Sequence, residues 1–254
     1  MKRSFFCSLY VYTMVSLWVI LFAPGTLITF VIYALMRILF LKRAANAFMW
    51  ASARLWSRLI TLFLGGKVTV YGKENLPVKG DDGHHCIVGN HESYLDITNI
   101  LGFCKLRTGF VAKKELKAVP FLNIWMVAFG CTFIKRGGIK SSIDAINKAV
   151  KNIQKGVQMV IFPEGTRSKN GHIGEFKPGA LKLAIRSKAS IIPIAMTGSR
   201  SAFESRMRIK PFPRIKISIL PLIDVKELTK EEKDGLALNL ENQIKTEVDR
   251  LKTL

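Results

Sequence analysis

Three of the four histidines in this 254-residue chain lie within eight positions, in the stretch "HHCIVGNHESYLDI" (84–97). The stretch also holds a cysteine, a glutamate and an aspartate, side chains that bind metals or move protons. His84 and His85 are separated from His91 by "CIVGN", which is typical of a strand. Six steps of extended chain cover about 20 Å, too far for one metal ion to bind both ends. The pattern therefore predicts no metal site and leaves His84 and His85 outside the chemistry.

His91 follows this strand, and Asp96 lies five residues further on. Five helical steps would place the two about 140° apart, so they can meet only if His91 lies in the turn and Asp96 in the first helical turn. Two interpretations of Asp96 stay open. Ser93 and Asp96 form a capping-box pattern that explains the acid by itself. Alternatively, the carboxylate fixes the imidazole tautomer, which leaves the other ring nitrogen as a general base.

A second polar loop, "FPEGTRS" (162–168), follows another apolar run. Gly165 lets the backbone approach a ligand closely, and Thr166 and Arg167 offer donors suited to a phosphate. The alternative is an ordinary turn in which Glu164 pairs with Arg167. No serine or cysteine nucleophile is obviously paired with His91, so the substrate's own hydroxyl would attack.

Elements that would position these loops alternate along the chain. Six apolar runs are typical of strands: "KVTVYG" (67–72), "CIVG" (86–89), "TGFVA" (108–112), "VQMVIF" (157–162), "SIIPIA" (190–195) and "RIKISIL" (214–220). Helix-like segments lie at about 93–103, 118–129, 141–155, 178–188 and 229–252. This alternation predicts an α/β fold with a mixed, largely parallel central sheet flanked by helices. Sites in such sheets lie at the carboxyl ends of strands, where "NHESYLD", "PEGTRS" and "TGSRSAF" fall.

The N-terminal segment is apolar, with no charged residue or histidine at positions 4–36. Pro24-Gly25 interrupts it, which predicts a hydrophobic hairpin of two helices at 4–23 and 26–41. Basic residues flank both ends and favour the cytoplasmic side. The two helices therefore either span the bilayer or enter one leaflet, and the short second helix favours the shallow pair. A signal peptide is the competing interpretation, but the apolar run continues past Pro-Gly without an A-x-A cleavage site.

An amphipathic helix at 44–64 follows this hairpin. We therefore expect membrane-anchoring helices over residues 1–64 and an α/β domain over residues 65–254. Composition agrees with a membrane surface. The net charge of +21 calls for an anionic partner, and the 49% hydrophobic content disfavours nucleic acid. The four scattered cysteines, with no C-x-x-C pair, indicate reduced thiols in a cytosol-facing domain.

Four blocks in order resemble the 1-acyl-sn-glycerol-3-phosphate acyltransferase (lysophosphatidate acyltransferase) family. They are "NHESYLD", which resembles the N-H-x-x-x-x-D motif, "FIKRGG", "FPEGTRS" and "IIPIAM". The segment "AKKELKAVPF" (112–121) resembles the one between the first two blocks. The resemblance covers about residues 65–200. "FKPGA" (176–180) departs from the more usual basic version, which affects the headgroup contacts more than the chemistry.

The resemblance implies a reaction and its residues. A fatty acyl group would pass from an acyl thioester, on coenzyme A or acyl carrier protein, to the sn-2 hydroxyl of 1-acyl-glycerol-3-phosphate, giving phosphatidic acid. No cofactor beyond this co-substrate is implied. His91 would be the base and Asp96 would orient it. The implied phosphate-binding set is Arg136, Gly165, Thr166, Arg167 and Lys113, with Glu164 supporting the loop, and Pro193 would shape the acyl side.

The expected partners are membrane lipids, lysophosphatidic acid and the acyl donor. The expected location is the membrane, with the catalytic domain on the cytoplasmic face of a bacterial inner membrane. An acyltransferase for another lysolipid or for an amino-acid-derived lipid is the alternative within the same chemistry. A non-catalytic, membrane-anchored lipid-binding protein is the alternative from a different class.

Overall fold

The computed structural model describes residues 2–77, 84–135, 139–168, 170–202 and 210–254, with the backbone alone for residues 2–8, 11 and 139. The helices are α1 (Lys2–Ile38), α2 (Lys42–Phe63), α3 (Leu95–Phe103), α4 (Leu122–Ala128), α5 (Ile139–Gln154), α6 (Pro178–Ser187) and α7 (Lys230–Thr253). The strands are β1 (Lys67–Tyr71), β2 (His85–Gly89), β3 (Thr108–Lys113), β4 (Thr132–Ile134), β5 (Gln158–Ile161), β6 (Ser190–Thr197) and β7 (Arg214–Ile219). Short 3-10 turns occur at Lys73–Asn75, Lys114–Ala118 and Ser199–Ala202.

The described strands form one sheet in the order β1-β7-β6-β2-β5-β3-β4. β2 pairs in parallel with β5 and β6, and β3 pairs in parallel with β5 and β4. β7 pairs antiparallel with β6. The predicted α/β fold with a mixed, largely parallel sheet is confirmed. Because β2, β3, β5 and β6 run the same way, the loops that follow them share one edge of the sheet.

The centre of the sheet is fully buried, which explains why β2 reads as a continuous apolar run. Cys86 and Val88, two residues apart, point into a core that also receives α5, α6 and α7. This core contributes large buried side chains such as Met159, Phe176 and Leu181. A strand packed this tightly gives the residue at its carboxyl end a fixed position.

The chain divides into two compact units, and neither follows the chain continuously. The first contains Met1–Thr69, Ser93–Leu106 and Gly198–Ile215, and the second contains Val70–Glu92, Arg107–Thr197 and Lys216–Leu254. The division into residues 1–64 and 65–254 stays a prediction.

In the first unit, the predicted break at Pro24-Gly25 is wrong. α1 runs unbroken through Pro24, and the chain turns at residues 39–41 before α2 begins. Gly25 has a packing role instead, because a Cβ atom there would lie 2.0 Å from Cζ2 of Trp56 on α2. Trp18 and Phe22 stack at a centroid distance of 4.6 Å, and Phe22 meets Trp56 edge-on at 5.6 Å. Contacts with α2 thus hold the helix together where the proline removes one backbone donor.

The stretch Tyr12–Ile38 of α1 is long and apolar enough to cross a membrane, judged by length and composition alone. Only 11% of its most apolar window is buried. α2 is the predicted amphipathic helix, and its buried positions recur every fourth residue from Ala45 to Thr61. It packs on α3, where the Nε of Arg58 donates to the carbonyl of Gly102 at 2.7 Å.

Candidate active site

In the second unit, a side chain ends the central strand. The amide nitrogen of Asn90 donates to the carbonyl of Met196 at 2.8 Å, and the N–H of Met196 donates to Oδ1 of Asn90 at 2.8 Å. Asn90 is fully buried. The side-chain amide of Asn90 therefore makes the two hydrogen bonds to Met196 that backbone groups of a further strand residue would make. The main chain leaves the sheet directly after Asn90.

His91 is the first residue after this point, and its imidazole stacks on the ring of Phe162. The ring centroids lie 4.2 Å apart and the planes differ by 10°. Phe162 is the residue that follows β5, the neighbour of β2 in the sheet. The stacking sets the plane of the half-buried imidazole, as the predicted role of a general base requires.

The main chain of His91 is bound by the "FPEGTRS" loop. Its N–H donates to Oε1 of Glu164 at 2.7 Å. Its carbonyl accepts from the N–H of Ser168 at 2.8 Å and from the Ser168 hydroxyl at 3.1 Å. The "NHESYLD" and "FPEGTRS" blocks are thus held together through the backbone N–H and carbonyl of His91.

Glu164 is the buried carboxylate that joins these segments. Its Oε2 accepts from the N–H of Gly174 at 2.8 Å and from the Ser168 hydroxyl at 3.4 Å. Burial raises the pKa of Glu164 above its ordinary value, and the backbone donors of Gly174 and His91 oppose that shift. These partners lie after β2 and between β5 and α6, so Glu164 holds the two connecting segments together.

The tip of the same loop has the features that the sequence predicts for anion binding. Gly165 adopts a φ of +70°, a conformation that a residue with a Cβ atom rarely takes. Gly165 and Thr166 are exposed and Arg167 is half-buried. An exposed, donor-rich tip of this kind suits a phosphate.

Lys177 is a residue that the sequence analysis left out of the site. Its N–H donates to the carbonyl of Pro163 at 3.1 Å, which fixes it against the loop. Its Nζ lies 3.3 Å from the position that a Cβ on Gly165 would occupy. In the described part of the chain, the exposed ammonium forms no ion pair or side-chain hydrogen bond. The sequence signal that could have identified Lys177 is its place in "FKPGA", the segment that departs from the usual family pattern.

Three other predicted site residues are Lys113, Pro193 and Arg136. Lys113 ends β3, and its Nζ pairs with Glu115 at 3.7 Å on the surface. Pro193 is buried inside β6, opposite Val88 in register, and its carbonyl accepts from the N–H of Leu220 at 2.9 Å. Arg136 lies outside the described residues.

In the first unit, Asp96 is fully buried in the first turn of α3. Its Oδ2 accepts from the N–H of Ser93 at 2.8 Å. This is one of the two hydrogen bonds of the predicted capping box, the one from the backbone of the first residue to the side chain of the acid. The hydroxyl of Ser93 accepts from Leu95 at 3.1 Å instead of from Asp96. The Oδ1 of Asp96 accepts from the hydroxyl of Ser199 at 2.5 Å.

Ser199 is therefore a second residue that sequence reasoning missed. It lies in "TGSRSAF", which the sequence marks only as a loop at a strand's carboxyl end. Its partner is 103 positions away along the chain, and local spacing does not reveal such a contact.

His85 and His84 occupy structural positions. His85 is buried as the first residue of β2, in register with Ser190. Nδ1 of the exposed His84 lies 2.5 Å from the carbonyl of Ile153. Within the described ranges, no group of three or more histidine, cysteine, aspartate or glutamate side chains could hold a metal ion.

Comparison with known proteins assigns the chain to a family. A family model described as Acyltransferase matches residues 67–197, a range that holds both polar loops. The 1-acyl-sn-glycerol-3-phosphate acyltransferase of Borreliella burgdorferi is 32% identical over 194 residues, which cover 76% of each chain. The chain belongs to the 1-acyl-sn-glycerol-3-phosphate acyltransferase family. The resemblance predicted from the four blocks is confirmed, and the chain is an acyltransferase.

Further relatives of this acyltransferase agree. The 1-acyl-sn-glycerol-3-phosphate acyltransferase of Saccharomyces cerevisiae is 32% identical over 208 residues, covering 81% of this chain and 66% of that one. The crystal structure of the 1-acyl-sn-glycerophosphate (LPA) acyltransferase PlsC from Thermotoga maritima superposes with a TM-score of 0.84 at 26% identity. It covers 100% of this chain and 98% of that one. The whole acyltransferase, including α1 and α2, thus has a counterpart in a solved fold.

Proposed function

We propose that this acyltransferase moves a fatty acyl group from an acyl thioester, on coenzyme A or acyl carrier protein, to the sn-2 hydroxyl of 1-acyl-glycerol-3-phosphate, giving phosphatidic acid. One observation carries the proposal. The His91 imidazole is stacked on Phe162 at the end of the central strand, and its main chain is bound by the loop suited to a phosphate. A base and an anion-binding loop at one sheet edge match an acceptor that has both a hydroxyl and a phosphate.

The chemistry needs one base and no enzyme-bound acyl group. His91 removes the proton as the acceptor oxygen attacks the thioester carbonyl carbon, so a C–O bond forms. The C–S bond of the tetrahedral intermediate then breaks, and the thiolate leaves with the proton that His91 holds. Atoms and charge balance, and the products are the diacylated acceptor and a free thiol.

The role proposed for Asp96 rests on the motif spacing. Asp96 holds the start of α3 through Ser93, and it would orient the imidazole five residues earlier in the chain. The capping and orienting interpretations are compatible, because each carboxylate oxygen can accept more than one hydrogen bond. Ser199 would keep the carboxylate in place.

We assign the acceptor phosphate to the backbone and side chains around Gly165. Thr166 and Arg167 donate from the loop, Lys177 adds an ammonium beside it, and Lys113 and Arg136 are the further cations that the family resemblance implies. Hydrogen bonds to charged groups contribute about 1.5–3 kcal/mol each, which suffices to select a phosphorylated acceptor. Another phosphorylated lysolipid would meet the same cations. An amino-acid-derived lipid without a phosphate would not use them.

We propose that α1 anchors the enzyme in the membrane, with the catalytic domain on the cytoplasmic side of a bacterial inner membrane. The apolar stretch Tyr12–Ile38 supports the anchor, and the basic residues that flank it support the orientation. An amphiphilic acceptor reaches a high local concentration at such an interface.

A donor and acceptor panel tests the proposal. Full-length enzyme in detergent or nanodiscs is assayed with acyl-CoA and acyl-carrier-protein donors against lysophosphatidate, other lysophospholipids and an acyl-accepting lipid without phosphate. We expect activity with lysophosphatidate, its loss in His91→Ala, and its retention in the exposed control His172→Ala. Activity restricted to other acceptors would refute the proposed substrate. Normal activity of His91→Ala would refute the proposed base.

A further inference from the structure

One flank of the second unit carries a row of basic side chains along α5 and at the residue that follows it, Lys155. Lys140, Lys148, Lys151 and Lys155 are all exposed, and their spacing of eight, three and four residues keeps them on one side of the helix axis. With a rise of 1.5 Å per residue, the row is about 22 Å long. It is much longer than a single phosphate group.

Two basic residues on α6 lie beside this row. Lys182 and Arg186, four residues apart, are exposed on the helix beside α5. The two helices are joined by a hydrogen bond of 2.6 Å from Nη1 of Arg186 to Oδ1 of Asn147. Together Lys140, Lys148, Lys151, Lys155, Lys182 and Arg186 make up what we call the α5–α6 basic face. The acidic residue that the two helices contain is Asp144.

The charges of this face lack the partners that charges elsewhere in the same unit have. On α7, Lys245 pairs with Glu241 at 2.6 Å, Arg250 with Glu247 at 2.6 Å and Lys252 with Asp249 at 2.7 Å. Over the described ranges, none of the six basic residues of the face forms an ion pair. The face therefore carries six basic side chains without an ion pair and one acidic residue, Asp144.

We propose that the α5–α6 basic face docks an acidic protein that carries the acyl thioester, such as an acyl carrier protein. This inference rests on the proposed function and selects its donor. A row of uncompensated cations complements an acidic helix and accelerates the encounter between the two proteins. The face also leads to the site, because Lys177, the residue before α6, is hydrogen-bonded to Pro163 in the phosphate loop.

A carrier protein fits this face better than a bilayer does. Helices that lie on membranes combine basic residues with exposed large apolar side chains. On α5 the apolar side, including Ala149 and Ile153, is buried against the sheet. Among the described side chains of α5 and α6, Ile143 is the exposed large hydrophobic. Lys140 and Lys148 also line an open cavity of about 430 Å³. The other four basic residues of the face lie outside this cavity, so the face extends beyond a single small-molecule site.

Charge reversal on the face tests the inference. The variant Lys148→Glu/Lys151→Glu is compared with Lys226→Glu/Lys230→Glu, a matched reversal of two exposed lysines away from the face. Initial rates with lysophosphatidate are measured with acyl carrier protein and acyl-CoA donors at several NaCl concentrations. For the face variant, we expect kcat/KM with the carrier donor to fall about tenfold at low salt. We expect its acyl-CoA rate to be unchanged and the control variant to behave like wild type with both donors.

Salt provides an independent readout. The wild-type rate with the carrier donor should fall with increasing NaCl, and the rate of the face variant should depend less on it. Equal effects on both donors, or a wild-type enzyme that uses only acyl-CoA, would overturn the docking surface while leaving the proposed reaction intact. Weaker binding to vesicles that contain anionic lipid, with donor preference unchanged, would overturn it in favour of a membrane contact.

Discussion

The carboxylate of Glu164 accepts the backbone N–H of His91 at 2.7 Å, across 73 positions of the chain. The same side chain accepts the N–H of Gly174 through its second oxygen. Glu164, inside the phosphate loop, therefore connects the predicted base to the segment that follows this loop. A change of this carboxylate should therefore shift His91 through its backbone N–H.

Replacing Glu164 by glutamine should lower kcat. The glutamine oxygen can replace one acceptor, but its NH2 group would face the N–H of either His91 or Gly174. A buried donor left without an acceptor costs about 1–3 kcal/mol, so the loop should shift and move the imidazole. The measurement is kcat with lysophosphatidate and acyl-CoA. Glu175→Gln, at the exposed glutamate next to Gly174, is the control. A Glu164→Gln variant with wild-type kcat would contradict the prediction.

Acidification should stabilise the wild-type enzyme relative to Glu164→Gln. Burial raises the pKa of Glu164, so the folded state binds the proton more tightly than the unfolded chain does. The free energy of unfolding should therefore rise as the pH falls through the raised pKa, and the gain should be complete below the ordinary value of 4.5. Unfolding curves of both proteins in the same detergent from pH 7 to below pH 4.5 give the difference. A difference that shrinks on acidification would contradict the sign.

Removing the Ser199 hydroxyl should weaken catalysis. Its bond to the buried carboxylate of Asp96 is charge-assisted, and such bonds contribute about 1.5–3 kcal/mol. We expect Ser199→Ala to lower kcat by about tenfold or more with a smaller effect on KM, and Ser199→Thr to restore most of it. Ser201→Ala, at an exposed serine of the same 3-10 turn, is the control. If threonine fails to restore kcat, the hydroxyl is not the cause.

Replacing Lys177 by methionine should mainly raise the KM for lysophosphatidate. The ammonium lies beside Gly165, where the acceptor phosphate is proposed to bind, and losing one charged contact should raise KM by about tenfold. Lys226→Met, at an exposed lysine away from the loop, should leave KM unchanged. A lower kcat with an unchanged KM would indicate that Lys177 supports the loop rather than the headgroup.

Gly25→Ala should destabilise the packing of α1 on α2. Alanine favours a helix over glycine by about 1 kcal/mol, but here its Cβ would clash with Trp56 at 2.0 Å. We expect overpacking to exceed the propensity gain and to lower the midpoint of thermal unfolding. Gly235→Ala on α7, whose new Cβ would meet its nearest atom at 3.8 Å, should instead raise it. Recovery in Gly25→Ala/Trp56→Phe would identify the indole ring as the clash.

Much of the α/β domain could be predicted from its sequence, because its strands are short apolar runs separated by helical periods. All six predicted strands are present in the fold. β4 was missed because its three residues, Thr132–Ile134, are too few to show a strand pattern. They also overlap the "FIKRGG" block, which was interpreted through its arginine and not as a strand. The break at Pro24-Gly25 was predicted from local propensity. Packing against Trp56, which lies 31 residues further on, overrides that propensity.

The candidate site was predictable to the extent that its residues lie in local motifs. His91, Asp96 and the "FPEGTRS" loop stand out by spacing and residue type. Ser199 and Lys177 act through contacts with distant residues, which only the folded chain brings together. Glu164 could be recognised as part of a motif, but its bond to His91 depends on β5 lying next to β2.

The side chain of Asn90 has a further consequence for how this enzyme can change over time. By bonding to both backbone groups of Met196, it sets the residue at which the chain leaves the sheet. One residue inserted or deleted between Gly89 and His91 would change the distance between the end of the strand and the imidazole, which would then lose its stacking on Phe162. The number of residues between the end of β2 and His91 is therefore fixed by the fold. It should vary far less than the identities of the residues around it.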